Sequence, residues 1–403
     1  KHNSFPTDLC IAKGMRLKMK FTKDDLKLEN GITKEWLITN GIGGYSSSTI
    51  IGANTRKYHG LLVAALTPPA RRFLILSKLD ESLEVRGRKY NLYTNIGKEY
   101  ITEGYKYQEE FEKMYVPCFK YKIGAVEITK EICMEYGKNS VGVYYKIKNG
   151  NCKAKLTLAP IINFRDFHTV NADHNFNLRQ NIVKNKVKII VDGYSQVPIY
   201  MHLSEGNYIE HENDIFKNMF YIEEEKRGFL PEENHVVPGR YEVEIAAKEE
   251  KEITFVCSLE DNIEQIDSKK LIEKEEKRLG KIFEESELLD LKNNTKTKKE
   301  LQDEELIKKF LIASDNFVVN RPNFGLHTLI AGYPWFLDWG RDSLISFEGT
   351  LLIPKRFNIA KEVLKTYIRD VKFGLVPNGY SGYDNRQLYN SVDASLLLFE
   401  QIQ

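Results

Sequence analysis

The sequence lacks the features that mark several large classes of protein. No apolar run approaches the roughly 20 residues that span a bilayer, and the first fourteen residues contain no apolar segment like that of a secretory signal. Charge of neither sign is in excess, since 59 basic and 57 acidic residues leave a formal net charge of +2. We therefore expect neither nucleic acid nor a membrane as a partner.

The cysteines, histidines and glycines exclude further classes. The five cysteines form no CxxC pair, and the eight histidines show no HxxxH or HExxH spacing, so a metal site has no support. The scattered, odd set of cysteines is typical of reduced, buried thiols, and we expect a cytoplasmic protein. Neither G-x-G-x-x-G nor a P-loop occurs where a nucleotide site would need it, so we expect no cofactor.

Residues 27–261 favour a first domain made of strands. Segments rich in Val, Ile, Tyr and Phe, such as RRFLILSKLDESLEV and VGVYYKIKN, are separated by Gly, Asn, Asp or Lys clusters. Strands at this spacing, with no helices between them, predict an antiparallel β-sandwich. Because the pattern begins after Met15 and Met19, we expect residues 1–26 to be a flexible or non-native N-terminal arm.

The composition changes at about residue 262. Residues 262–299 are highly charged, with apolar residues at helical spacing, and predict a helical linker. Residues 300–403 predict a series of helices joined by loops, the first of them with Asp303 as its N-cap. The sequence ends within an apolar helix. This ending favours a domain whose remainder is missing over a helix that packs locally.

Glycines are concentrated in NGIGGYSSSTIIGANTRKYHGLLVA, residues 40–64. One interpretation is a set of tight turns between strands, where glycine supplies the positive φ. The other is a loop that packs on the second domain and lines a site, with hydrogen bonds from Arg56, Tyr58 and His59. The residues alone leave both interpretations open.

Tryptophan is scarce, and two of the three in the chain lie in YPWFLDWGRDS, residues 333–343. Aromatic faces stack on the apolar faces of sugar rings, while an arginine and an aspartate on the same loop form hydrogen bonds with hydroxyl groups. The alternative is an ordinary Asp–Arg pair beside core tryptophans. These two interpretations are evenly matched.

A polar loop follows in GLVPNGYSGYDNRQLYNSVDASLLLF, residues 374–399. Long loops within a helical domain are often functional. Asp393 lies where the loop becomes a helix, so it is either an N-cap or a carboxyl group presented at the mouth of the domain. Helix N–H groups favour a charged carboxylate, whereas a general acid must carry a proton.

The most specific signal lies in two long segments. The first is EWLITNGIGGYSSSTIIGANTRKYHGLLVA, and the second extends from AGYPWFLDWGRDS through GLVPNGY to YNSVDASLLLFE. Together they resemble the bacterial and archaeal glycogen debranching enzymes of the amylo-α-1,6-glucosidase type. The resemblance implies an N-terminal β-sandwich followed by the first helices of a glucoamylase-like (α/α)6 toroid. It also implies hydrolysis of α-1,6 branch points in glycogen-like α-glucans, with inversion at the anomeric carbon.

The same resemblance implies roles for single residues. The W-G-R-D motif falls on residues 339–342, where Arg341 and Asp342 would bind hydroxyls of the terminal glucose. The Y-N-x-x-D-A motif falls on residues 389–394, and Asp393 is the candidate general acid. An inverting glycosidase also needs a carboxylate base about 6.5–9.5 Å away, and the family places it beyond Gln403. The other substrate-binding candidates are Trp335, Trp339, Tyr389 and Asn390.

We therefore expect an N-terminal fragment with an incomplete toroid and little or no hydrolytic activity by itself. Two alternatives stay open. One is an exo-acting, glucoamylase-like α-glucosidase, and the other is a non-catalytic protein that binds α-glucan.

Overall fold

A domain of strands precedes a series of helices in the computed structural model, which describes residues 20–173, 177–289, 296–382 and 386–402. The first domain has two short helices, α1 (Leu28–Gly31) and α2 (Ile222–Lys226), and 3₁₀ turns at Gly104–Tyr107 and Ile263–Gln265. Its strands are β1 (Lys20–Thr22), β2 (Glu35–Thr39), β3 (Tyr45–Thr49), β4 (Gly60–Thr67), β5 (Ala70–Val85), β6 (Arg88–Asn91), β7 (Gln108–Lys113), β8 (Pro117–Ile123), β9 (Val126–Met134), β10 (Ser140–Lys148), β11 (Ala154–Asp166), β12 (Leu178–Val183), β13 (Lys186–Val191), β14 (Ile199–Leu203), β15 (Asn207–Phe220), β16 (Glu232–Ile245) and β17 (Glu250–Ser258).

The second part is mainly helical, as the sequence predicts. A π-helical segment, Glu348–Leu352, directly follows the helix at Gly340–Phe347. The remaining elements are α3 (Ser268–Ser286), α4 (Lys298–Asn316), β18 (Val318–Arg321), β19 (Leu326–Leu329), α5 (Gly340–Phe347), α6 (Phe357–Arg369), β20 (Gly379–Tyr380), β21 (Gln387–Leu388) and α7 (Asp393–Ile402).

The strands of the first domain form two sheets with antiparallel pairing throughout. The nine-stranded sheet has the order β1-β7-β8-β9-β10-β17-β14-β13-β12. The eight-stranded sheet has the order β15-β16-β11-β5-β4-β3-β2, and β6 pairs with β5 beside this path. Alternating side chains point to opposite faces of a strand, so each sheet has one apolar face available for packing.

The two apolar faces share one core, which confirms the predicted sandwich. Trp36 of one sheet meets Phe119 of the other with ring centroids 6.3 Å apart, and Tyr241 meets Phe255 at 5.9 Å. These edge contacts between rings add to the area that the core removes from water.

The predicted N-terminal arm, residues 1–26, requires a correction. Its first 19 residues lie outside the described part of the chain. The remainder belongs to the sandwich, because β1 pairs with β7, with Phe21 opposite Phe111, and Leu26 is only 1% exposed. Backbone pairing and burial of an apolar side chain hold these residues in the domain.

The segment predicted as a linker packs on the sandwich through α3. This helix begins after Asp267, whose carboxylate accepts hydrogen bonds from the backbone N–H groups of Lys269 and Lys270. It contacts β9, β10 and β17, and its apolar stripe includes the buried residues Leu271 and Ile272. The connection is therefore a helix that packs on the sandwich through a small apolar cluster.

The next helix, α4, begins earlier than the sequence predicts. Its N-cap is Thr297, which forms a capping box with Glu300. The predicted cap, Asp303, lies in the second turn of the helix. Leu311 and Ile312 are buried in a small core that α4 shares with α3.

The glycine-rich stretch forms turns, as one of the two interpretations predicts. Gly41 and Gly43 have φ values of 71° and 95°, a region that side chains rarely adopt. A side chain at Gly43 would also lie 2.6 Å from Pro69. The turn contacts the second part of the chain, because the carbonyl of Gly41 accepts a hydrogen bond from the N–H of Asn320 at 2.8 Å.

A second core lies within the helical part. It gathers apolar residues of α5, α6 and α7 with Val318 and Leu329 of the β18–β19 hairpin. In α7, Ala394 and Leu398 are buried, whereas Leu396 and Phe399 are 68% and 74% exposed. Within the described ranges, none of the helices combines the length and apolar character needed to cross a bilayer.

The cysteines occupy separate positions. Cys118, Cys133 and Cys257 are buried and free, and Cys152 is a half-buried free thiol. Cys10 lies outside the described residues. In the part of the chain that the structure describes, no group of three or more His, Cys, Asp or Glu side chains is arranged to hold a metal ion.

Candidate active site

The stretch 333–343 is held from inside by a buried ion pair. Asp338 is fully buried, and its two carboxylate oxygens accept hydrogen bonds from Nε and Nη2 of Arg321, each at 2.6 Å. Arg321 is 1% exposed, and its guanidinium lies 4.4 Å from the ring centre of Tyr380. A bidentate pair of this kind fixes the position of both side chains. Asp338 is therefore committed to holding the loop.

The glycine of the W-G-R-D motif is required by close packing. Trp339 forms a bridge of β type with Gly379, and the N–H of Gly340 donates to the carbonyl of Asn378 at 2.6 Å. A Cβ atom on Gly340 would lie 2.5 Å from the carbonyl oxygen of Pro377. Glycine thus lets the start of α5 lie directly against the loop that precedes α7.

The packing of α5 decides which residues of the motif face outward. Ser343, Leu344 and Phe347 are buried on its inner side. The Ser343 hydroxyl donates to the carbonyl of Leu329 at 3.1 Å, which fastens the helix to β19. With this face turned inward, Arg341 and Asp342 of the first turn are exposed.

The two motifs meet at the N-termini of α5 and α7, which are in contact. Nε of Arg341 lies 3.3 Å from Oδ2 of Asp393, and the two side chains are 59% and 49% exposed. Asp393 is the first residue of α7, and its N–H donates to the hydroxyl of Ser391 at 3.2 Å. The structure therefore joins the candidate acid to the arginine that the resemblance assigns to sugar binding.

Tyr389 and Asn390 are used in part to hold the loop before α7. The Tyr389 hydroxyl donates to the carbonyl of Asp370 at 2.6 Å, at the end of α6. The exposed side chain of Asn390 accepts a hydrogen bond from Nδ2 of Asn378 at 3.1 Å. Residues 383–385 of this loop lie outside the described residues.

A cleft of about 230 Å³ lies between the sandwich and the helical part. Aromatic side chains form one wall, and polar side chains of the sandwich form another. Its lining residues are Arg71, Arg72, Asp166, Phe167, His168, Trp335, Phe336, Leu337, Trp339, Tyr380, Ser381, Gly382 and Leu388. Trp335 and Trp339 thus belong to the wall of a pocket, and both are half-buried.

Arg56, Tyr58 and His59 do not line this cleft, contrary to one interpretation of the glycine-rich stretch. Two of them, Arg56 and Tyr58, contact Trp335. The ring of Tyr58 contacts the indole edge to face at 6.1 Å, and the Arg56 guanidinium lies 5.5 Å from its centre. His59 is 1% exposed and 3.7 Å from a carboxylate oxygen of Glu35. Tyr58 and Arg56 therefore support the tryptophan that lines the cleft.

Glu35 ties this supporting layer together. Its carboxylate accepts a hydrogen bond from Nε of Arg56 at 2.8 Å. Burial raises the pKa of Glu35, but hydrogen bonds and charges from His59 and Arg56 outweigh burial and hold the pKa at about 2. The carboxylate is therefore ionised at neutral pH and keeps Arg56 beneath Trp335.

The polar side of the cleft comes from residues that sequence reasoning did not select. Arg71 and Arg72 are the second and third residues of β5, and Asp166 ends β11, where it pairs with Phe73. The neighbouring N–H of Phe167 donates to the carbonyl of Arg72 at 3.1 Å. Only the pairing of β5 with β11 brings these segments together, although 94 positions separate Arg72 from Asp166. The available signal was a cluster of polar residues at the ends of two long strands.

His168 adds a neutral polar group to the cleft. Burial lowers its pKa below the ordinary value of 6.5, an effect that the nearby Asp166 opposes. Its Nδ1 lies 3.2 Å from the hydroxyl of Tyr58. A neutral imidazole can exchange hydrogen bonds with hydroxyl groups without the cost of burying a charge.

Family models match two regions of the chain. One, described as glycogen debranching enzyme N terminal, covers residues 34–252. The other, described as amylo-alpha-1,6-glucosidase, covers residues 312–403. A glycogen debranching enzyme of Saccharomyces cerevisiae is 33% identical over 87 residues, which is 20% of this chain and 6% of the yeast protein.

Two solved structures have a similar arrangement. A putative kojibiose phosphorylase from the human microbiome is 10% identical, with a TM-score of 0.46, and the match covers 95% of this chain and 55% of that one. A bacterial glucoamylase complexed with acarbose is 13% identical, with a TM-score of 0.44 and coverage of 92% and 54%. The chain thus spans about half the length of each of these structures.

Proposed function

Because the chain belongs to the glycogen debranching enzyme family, we propose a role in hydrolysing α-1,6-glucosidic branch points of glycogen-like glucans, with inversion. The supporting observation is the contact between two distant motifs, where Arg341 and Asp393 lie 3.3 Å apart. Trp339 precedes Arg341 by two positions and lines the aromatic cleft. Binding groups for a sugar and a candidate acid are thus adjacent.

In this proposal, Arg341 and Asp342 bind hydroxyls of the terminal glucose, and Asp393 protonates the glycosidic oxygen. The ion pair must then open when the sugar arrives. Its cost is small, because an exposed pair of this kind contributes only about 0–1 kcal/mol. Sugar hydroxyls that accept hydrogen bonds from Arg341 would take the place of the carboxylate, which is then free to hold a proton.

The cleft would take the glucose units next to the scissile bond. Trp335, Phe336 and Trp339 offer apolar faces to sugar rings, and His168 offers a neutral hydrogen-bonding group. Asp338 has no part in the chemistry, because Arg321 occupies both of its oxygens. If this chain by itself turns over substrate, Asp342 is the carboxylate to test as the base.

A non-catalytic α-glucan-binding protein is the second candidate. The observation that favours it is the lining of the cleft, which includes Trp335 and Trp339 but not Asp393. Binding alone would use the aromatic cleft and Arg341 and would need no acid. Both candidates therefore predict that the protein binds α-glucan, and only the hydrolase predicts release of glucose.

The test combines binding and turnover. Tryptophan emission reports binding, because two of the three tryptophans line the cleft. Panose, which contains an α-1,6 bond, is compared with maltotriose, which contains only α-1,4 bonds. Glucose release from a branched limit dextrin is measured with the gene product at its native length, for the wild type and for Asp393→Asn.

Tighter binding of panose, with glucose release that Asp393→Asn abolishes while keeping affinity, supports a debranching hydrolase. Trp339→Ala should weaken binding about 30-fold, the effect of losing an interaction worth about 2 kcal/mol. Binding without any release identifies the non-catalytic candidate. Absence of binding to either sugar contradicts both.

A further inference from the structure

Arg72 is a buried cation to which the described residues offer no ion-pair partner. It is fully buried near the start of β5. Two other buried arginines nearby are neutralised, since Arg165 pairs with Glu233 and Arg321 pairs with Asp338. For Arg72, no carboxylate in the described ranges lies within the 4.0 Å of an ion pair. A charge buried in this way is costly, so its position needs an explanation.

The guanidinium of Arg72 is held by carbonyl groups and by aromatic rings. Its Nη1 donates to the carbonyl of Pro334 at 3.1 Å and to that of Phe336 at 3.0 Å. The ring centres of Tyr333 and Phe167 lie 4.7 and 5.6 Å from its central carbon. Cation–π attraction in a dry site partly offsets the lost hydration.

These contacts lie at one place, on either side of Trp335. The two carbonyl groups belong to the residues before and after the tryptophan, and Trp335 and Phe336 both line the cleft. The neighbouring Arg71 fastens a second lining segment, because its N–H donates to the carbonyl of Gly382 at 3.0 Å. Two consecutive residues of the sandwich thus fasten two segments of the helical part that line the cleft.

We propose that Arg72 is a positioning residue of the cleft, which fixes the aromatic wall around Trp335 in the arrangement that holds the glucan. This inference rests on the proposed function, since it takes α-glucan as the ligand. In this role, Arg72 makes the sandwich contribute to the geometry of the substrate site. Arg72 touches no reacting atom and acts through the backbone of residues 334–336.

A lysine can replace this arginine only in part. Its ammonium group could donate to both carbonyl groups, as Nη1 does, but it lacks the planar guanidinium that lies against the rings of Tyr333 and Phe167. In Arg72→Lys we therefore expect the wall to loosen and the affinity for panose to fall about tenfold, as misplaced binding groups do. Arg72→Met, which removes the charge, should have an effect at least as large. Tyr333→Leu keeps Arg72 but removes the closest ring, and it should weaken binding in the same direction.

A control for general destabilisation is Lys130→Met. Lys130 is a buried lysine paired with Glu81 inside the sandwich, and it does not line the cleft. This variant should lower the free energy of unfolding in urea and leave the dissociation constant for panose unchanged. Arg72→Lys should change the dissociation constant at a urea concentration where both variants are fully folded.

A second measurement needs no ligand. In a Trp36→Phe, Trp339→Phe background, Trp335 is the remaining tryptophan, because the chain has three. Acrylamide should quench its emission more strongly when Arg72 is changed to lysine, and Lys130→Met should leave quenching unchanged. If wild-type protein binds no glucan, the proposed function fails, and quenching still decides whether Arg72 holds the wall. Unchanged quenching in Arg72→Lys, or unchanged affinity in a folded Arg72→Lys protein that binds glucan, would overturn the inference.

Discussion

Replacement of Asp338 by asparagine tests whether the buried pair with Arg321 holds the aromatic segment. Asparagine has the size of aspartate but carries an amide in place of one carboxylate oxygen. That amide would point its own N–H groups at the donors of Arg321. The arginine, 1% exposed, would keep its charge and lose its counterion. Removing one member of a buried ion pair costs about 3–5 kcal/mol.

The loss should appear in urea unfolding followed by the emission of Trp335 and Trp339. With a dependence on urea of about 1–3 kcal/mol per molar, the midpoint should fall by roughly 1–5 M. Glu127→Gln is the matched control, because Lys122 and Glu127 form an exposed pair at 3.1 Å. Breaking that pair should cost less than about 1 kcal/mol.

A double variant separates charge from packing. Arg321→Met with Asp338→Leu removes both buried charges, and it should be less destabilised than the sum of the two single changes. A cost below about 1 kcal/mol for Asp338→Asn would refute the structural role of the pair. So would strict additivity in the double variant.

Three further predictions follow from single contacts. Gly340→Ala should destabilise the helical part by about 1–3 kcal/mol, because the added Cβ would lie 2.5 Å from the carbonyl oxygen of Pro377. The same change should weaken panose binding. Urea unfolding measures the loss of stability, and tryptophan emission measures the loss of affinity. Glu35 has a pKa of about 2, below its ordinary 4.5, so it stabilises the fold above pH 4.5 and loses this contribution as the pH falls toward 2. Between pH 4.5 and pH 2 the free energy of unfolding of the wild type should fall by about 1 kcal/mol more than that of Glu35→Gln, a value that already allows for solvent screening. Urea unfolding at several pH values tests this difference. Thr297→Ala should cost about 1 kcal/mol through the lost cap of α4, whereas Asp303→Ala should change little, and equal costs would contradict the capping box.

Local sequence patterns were sufficient to predict the fold. The alternation in segments such as RRFLILSKLDESLEV reports on which face of a strand is buried, and this information lies within a few residues. The ends of helices were predicted less accurately, because several residues can serve as a cap. Both Thr297 and Asp303 are suitable N-cap residues, and the reciprocal hydrogen bond from Glu300 selects the first.

The candidate site was predicted only where its motifs are contiguous. W-G-R-D and Y-N-x-x-D-A were found from the resemblance, and the structure places Arg341 of one against Asp393 of the other. Of the predicted lining residues, Arg56 and Tyr58 contact Trp335, and none of Arg56, Tyr58 and His59 is among the residues that line the cleft. Proximity to a wall can be inferred from a motif, whereas the face on which a residue lies depends on the packing of both domains.

By itself, then, the sequence determined an antiparallel sandwich, the helices that follow it, and the motifs of the glycogen debranching enzyme family. Short-range periodicity and contiguous residues suffice for these features. Only the tertiary structure decided that Arg72 and His168 of the sandwich line the same cleft as Trp335 and Trp339. Strand pairing and domain contact bring residues together across more than 160 positions, and no local pattern records which distant surfaces will meet.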